Sequence, residues 1–149
     1  MYSRIICAID GSDLSIKALN HAFVLASRLG AELTAVNVTD PSVIIAPGAD
    51  MMMIDTASII DELDRSKAEG AKAVMAEATR LAGASGVTLS TLHVPGLPAA
   101  EGIIKCAKDT QADLIVMGSH GRRGLGRLLL GSQAAEVLAH AEIPVLIIK

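Results

Sequence analysis

Residues 117–133 read MGSHGRRGLGRLLLGSQ and follow directly on the apolar run Leu114, Ile115, Val116. Gly118 is followed after two residues by Gly121, and nine residues further on come Gly131 and Ser132. That order predicts a strand, a glycine-rich loop and then the start of a helix. Such a loop suits phosphate, because glycine lets backbone N–H groups approach a ligand with no side chain between, and the N–H groups of a helix start favour an anion. No catalytic base stands out in it. The chain has no GxxxxGK[ST] run, and GRRGLG places its glycines wrongly for the GxGxxG dinucleotide fingerprint.

Strands alternating with helices must carry this loop. A continuous apolar run at 5–9, closed by Asp10, Gly11 and Ser12, predicts a strand buried on both faces and then a turn. A helix is expected over 13–29, with Leu14, Ala18, Ala22, Leu25, Ala26 and Leu29 at helical spacing and Gly30 as its stop. The second strand is expected over 32–38, ended by Asp40 and Pro41, and a long helix over 58–81. On that helix Ile60, Leu63, Lys67, Gly70, Val74, Ala78 and Leu81 share one face, weak in its middle. Further elements are a strand over 87–94, a short helix over 99–108, a strand over 113–118, a helix over 132–140 and a last strand over 144–148.

This alternation implies right-handed crossovers and a mostly parallel sheet covered by helices on both faces. Ligands in such sheets sit at the carboxyl ends of the strands, near the point where strand order reverses. Asp10 and Gly118 both fall at such ends, which predicts one crevice lined by both. Residues 39–57 form a long connection, apolar for a loop, with Val43, Ile44, Ile45 and the run Met51, Met52, Met53. It reads as a flap over the sheet edge, with a Met-rich partner surface as the alternative.

At 149 residues the chain suits one domain, 1–149, with a single sizeable core. Its residues are 51% hydrophobic with one Tyr, one Phe and no Trp, so Ala, Val, Leu, Ile and Met must build that core. A net charge of -3 and the lack of aromatic stacking platforms argue against nucleic acid and acidic membranes as partners, with Arg122, Arg123 and Arg127 a local exception. Cys7 and Cys106 show neither CxxC spacing nor a His-rich neighbourhood and read as small, reduced core residues. No signal-like or membrane-length apolar run occurs, and a cytoplasmic location is expected.

Three stretches together carry a family resemblance: AIDGSDLSIKAL after the first strand, VNVTDP at the end of the second, and DLIVMGSHGRRGLGRLLLGSQAAEVLAHAEIPVLIIK. Over its whole length the chain resembles a single-domain universal stress protein of the ATP-binding-motif type. The resemblance implies an α/β fold, a three-layer α/β/α sandwich of Rossmann-like, adenine nucleotide alpha hydrolase-like form. Its five-stranded parallel sheet would have the order 3-2-1-4-5. It also implies a homodimer through the final strand, where Val145, Leu146, Ile147 and Ile148 would be an apolar edge that invites pairing.

Carried over by position, Asp10 resembles the carboxylate that holds the ribose, beside Gly11 and Ser12, and Val38 resembles the residue whose backbone meets adenine. Gly118, Gly121, Gly131, Ser132 and Gln133 resemble the phosphate cradle. Arg122 or Arg123 would add charge near the outer phosphates, with solvated surface arginines as the alternative, and Met117 would border the adenine or ribose from below. A carboxylate can accept both ribose hydroxyls, and glycines with a helix-start Ser supply donors to phosphate. In one departure Leu97 precedes Pro98, where relatives often carry an acidic residue.

The implied function is a regulatory module of the stress response that binds ATP, with or without Mg or Mn on its phosphates, and hydrolyses it slowly or not at all. No catalytic residue and no protein metal ligand is assigned. Efficient phosphoryl transfer needs charge clamps and a positioned nucleophile, and neither is evident. The residues leave open a slow ATPase or phosphotransferase with His120 as proton carrier, a binder of AMP or cyclic AMP, and a nucleotide-free structural dimer or adaptor. His21, His93 and His140 fall on separate elements and make no metal site.

Overall fold

The computed structural model describes residues 1–44, 55–121 and 130–149; Met51, Met52 and Met53 and the arginines Arg122, Arg123 and Arg127 lie outside the described residues. The elements run β1 (Arg4–Ala8), α1 (Asp13–Leu29), β2 (Glu32–Thr39), α2 (Thr56–Ser85), β3 (Leu89–Pro95), α3 (Ala99–Asp109), β4 (Leu114–Gly118), α4 (Ser132–His140) and β5 (Val145–Ile148). All strand pairs are parallel and the sheet order is β3-β2-β1-β4-β5, as the resemblance implied.

Strand alternation divides the core into two layers. Ile5, Cys7 and Ile9 point with Leu33, Ala35, Leu114 and Val116 towards α1 and α2. Ile6, Val36, Ile115 and Met117 point towards α3 and α4. Both faces being dry explains why β1 and β4 read as unbroken apolar runs. Burial also accounts for the cysteines: Cys7 is fully enclosed, its thiol pKa pushed far up by desolvation, and Cys106 is buried in α3.

The long helix differs from its sequence reading. It begins two residues earlier than expected and runs to Ser85, where Gly86 at φ 67° caps it in the left-handed region. Its buried residues are Ala71, Ala78 and Ala82, with Val74 and Leu81 half-buried beside them. Leu63 is 40% exposed. A 30-residue helix is about 45 Å long, whereas the eight-residue β2 is about 26 Å. Its first turns therefore run past the carboxyl edge of the sheet, where Lys67 Nζ donates to the Asp40 carbonyl at 2.7 Å. β3 is also shifted, to Leu89–Pro95, because Val87 is spent on the turn after α2, its N–H donating to the Ala82 carbonyl.

The amino-terminal segment is tied down by Asp113, at the start of β4. Its carboxylate accepts from the Ser3 N–H and Ser3 Oγ, both at 2.8 Å, and from the Arg4 N–H at 3.0 Å. These bonds, the Ser3 N–H first, hold the Asp113 pKa below the ordinary aspartate value of about 3.9. A carboxyl depressed in the folded state adds stability that is complete above the unfolded value and is lost as pH falls through the lower folded value. Asp113→Asn should therefore melt below wild type at neutral pH, with the gap closing under pH 4 or so. A gap unchanged down to about pH 2 would show that the charge is irrelevant. Among the described residues no helix is long and apolar enough to cross a membrane.

Candidate functional site

Strand order reverses between β1 and β4, and the segments leaving their carboxyl ends face each other. After β1 the chain turns through Asp10, Gly11 and Ser12. Gly11 has φ 81°, a backbone state that side chains rarely adopt. Asp10 Oδ1 accepts from the Ser12 N–H at 2.9 Å, an Asx turn that fixes the carboxylate at the mouth of the strand. Ser12 then caps α1 by accepting from the Ser15 N–H at 3.2 Å. The Ser15 hydroxyl donates to the Ser12 carbonyl at 2.9 Å and accepts from the Asp10 N–H at 3.3 Å, closing the turn.

The second carboxylate oxygen of Asp10 looks across at the loop after β4. A Cβ placed on Gly121 would stand 2.6 Å from Asp10 Oδ2. Gly118 is approached less closely from the other side, its missing Cβ 3.0 Å from Leu14 Cγ of α1. The loop then closes on itself. The Ser119 N–H donates to the Ile148 carbonyl, and the Gly131 N–H donates to the Ser119 carbonyl, each at 2.8 Å. A Cβ on Gly131 would lie 2.8 Å from that same carbonyl oxygen. With φ -61° and ψ 150°, Gly131 has an ordinary backbone, so close packing and not conformation demands glycine there. As N-cap of α4 it supplies no side-chain hydrogen bond, and the first turn through Ser132 and Gln133 starts directly from the loop.

The described residues expected to hold a ligand thus converge from three strand ends. Asp10, Gly11, Ser12, Gly118, Gly121, Gly131 and Ser132 lie around the β1/β4 crevice, and Val38 lies near the end of β2. Met117 is 6% exposed and belongs to the core beneath them. Gln133 turns its side chain away from the loop, accepting from the Ala100 N–H at the start of α3 at 2.9 Å. His120 shares a 3.0 Å hydrogen bond between Nδ1 and the buried Ser119 Oγ. Arg122 lies outside the described residues. His21, His93 and His140 stand on α1, β3 and α4, and no group of three or more His, Cys, Asp or Glu able to hold a metal occurs among the described residues.

Two residues passed over in the sequence shape this crevice. Asn37 is 5% exposed on β2, and its Nδ2 donates to the Ile9 carbonyl at 2.7 Å, fixing the peptide that leads into Asp10. Its only signal is a polar side chain inside the apolar run LTAVNVT. Gly102 of α3 packs where its Cβ would stand 2.5 Å from Val38 Cγ1. A glycine inside an amphipathic helix is the corresponding hint of close approach.

The sequence matches the universal stress protein family over residues 1–149. This chain belongs to that family. Universal stress protein MJ0531 of Methanocaldococcus jannaschii is 38% identical to it over 149 residues, covering 100% of this chain and 83% of the relative. Among solved structures, universal stress protein UspA from Lactobacillus plantarum superposes with a TM-score of 0.85 at 29% identity, over 99% of this chain and 98% of the other. A universal stress protein in complex with cAMP superposes with a TM-score of 0.70 at 28% identity, over 99% and 97%. In this universal stress protein Gly121 and Gly131 stand where the Asp10 carboxylate and the Ser119 carbonyl come closer than a Cβ allows. The Asp10 carboxylate stands at one side of this crevice and the start of α4 at the other.

Proposed function

We propose that this universal stress protein binds an adenine nucleotide, ATP in the first place, in the crevice between the ends of β1 and β4. The observation that carries the reading is the placement of Gly121 against Asp10 Oδ2, which brings an anion-binding loop to a carboxylate suited to a diol. Asp10 accepts the ribose hydroxyls beside Gly11 and Ser12, the backbone near Val38 meets adenine, and Met117 is the floor. Gly118, Gly121, Gly131, Ser132 and the backbone of Gln133 surround the phosphates. A Mg or Mn ion would take most of its ligands from the phosphates and water, as that chemistry allows.

The protein acts as a cytoplasmic regulatory module of the stress response, not as an efficient enzyme, with hydrolysis slow or absent. It pairs with a second copy along β5, which lies at the sheet edge with Val145, Leu146 and Ile147 half-buried. The cAMP-bound relative favours a second reading in which AMP or cyclic AMP fills the same crevice.

Denaturing freshly purified protein and separating the supernatant by ion-exchange chromatography tests the choice. Released ATP is the expected result, and AMP or cyclic AMP would favour the second reading. Protein that releases nothing and gives no calorimetric signal with ATP, ADP, AMP or cyclic AMP would leave a structural dimer or adaptor. Unchanged slow turnover in His120→Ala would remove that residue as a proton carrier.

A further inference from the structure

The helix that joins the two ends of the crevice is α3. Its N-cap, Pro98, makes no side-chain hydrogen bond, so its first turn begins without a cap of its own. The missing acceptor comes from another helix: Gln133 Oε1, on the second residue of α4, takes the Ala100 N–H at 2.9 Å. Two residues along, Gly102 brings α3 to within van der Waals reach of Val38 on β2. Thus α3 touches the expected base end through Gly102 and the expected phosphate end through Ala100.

We propose that Gln133 is a positioning residue for the phosphate end of the site: by capping α3 with its side chain it fixes the first turn of α4, whose backbone then meets the phosphates. The proposal rests on the nucleotide reading above and deepens it, since Gln133 acts through α3 and not by side-chain contact with the ligand. A bond made between two helix starts orders both, and breaking it lets the α4 turn drift relative to β2. The loss falls on the part of the ligand that α4 meets.

The experiment follows the Ala100 amide by NMR hydrogen exchange in wild type, Gln133→Met and Gln133→Glu, and measures ATP and adenosine affinity in the first two. Met fills a similar volume but accepts no such bond, whereas Glu keeps the acceptor. Faster exchange at Ala100 in Gln133→Met, restored in Gln133→Glu, is expected. ATP affinity should fall about threefold to tenfold in Gln133→Met, the span of one net hydrogen bond, while adenosine affinity stays unchanged. Wild-type Ala100 should remain protected when ATP is added.

Loss of that protection on adding ATP would overturn the proposal, because the side chain would then be leaving α3 for the ligand. Equal loss of ATP and adenosine affinity would also overturn it, as the effect of general loosening. Wild-type protein that binds neither ligand removes the nucleotide reading and the role at the phosphate end together. The tie between the helices would then still stand or fall on the exchange of Ala100.

Discussion

Gly102→Ala lowers the stability of the folded protein by about 1–3 kcal/mol, the usual range for forcing an extra methyl into a packed site. At roughly 2–4 °C per kcal/mol for a chain of this size, thermal melting reads the change directly. The sign is the informative part. In an exposed helix interior the same replacement stabilises by about 0.5–1 kcal/mol, because alanine has less backbone freedom to lose. At Gly102 the new Cβ would stand 2.5 Å from Val38 Cγ1, 2.8 Å from Cγ2 and 3.2 Å from Cβ.

Both branches of a β-branched side chain are in the way, so rotation about χ1 exchanges one clash for another. Overpacking outweighs propensity. Gly70 of α2 is the control within the same molecule, exposed and with nothing among the described residues within 4 Å of an added Cβ. Gly70→Ala should melt at or above wild type while Gly102→Ala melts below it. Equal melting of the two variants would show that α3 does not lie on Val38 as described.

On the proposed nucleotide reading, Gly121→Ala should have the opposite profile, weakening nucleotide binding with little effect on stability. Among the described residues its Cβ would meet Asp10 Oδ2 at 2.6 Å and Asp10 Cγ at 3.8 Å. A carboxylate is the end of a side chain and can rotate away, so the fold yields cheaply, but the carboxylate no longer faces the crevice. Two charge-assisted hydrogen bonds to a ribose are worth about 1.5–3 kcal/mol each. Their loss weakens ATP binding by about two to four decades, at 1.4 kcal/mol per decade.

The loss runs through Asp10, so Asp10→Ala should cost a similar amount and the double variant hardly more than either alone. Such non-additivity identifies a shared cause. Calorimetric titration of the three variants checks it. Full additivity would mean that Gly121 and Asp10 serve different parts of the site, and normal ATP binding by Gly121→Ala would detach this loop from nucleotide altogether.

Much of this architecture was legible in the residues. Apolar runs without alternation at β1 and β4 announced strands covered on both faces, and the turn at Asp10, Gly11 and Ser12 and the glycine spacing from Gly118 to Gly131 marked the two strand ends that meet where the order reverses. Those signals are local, because the conformational range of glycine and a helix cap act within a few residues. Where α2 stops was less legible. The spacing ended it at 81, whereas the helix runs on through the buried Ala82 to Ser85 and its cap at Gly86.

The sequence by itself determined the alternation of elements, the dryness of the sheet and the chemistry offered at two strand ends. Tertiary structure decided what no spacing contains. Gly121 stands against Asp10, Gly102 against Val38 and Gly131 against the Ser119 carbonyl, each across a gap narrower than a Cβ. It decided equally that Asn37 anchors the Ile9 peptide and that Gln133 turns to Ala100. The physical reason is one of range: propensity and periodicity act along the chain, whereas steric exclusion and hydrogen-bond pairing act between segments that only the completed sheet order brings together.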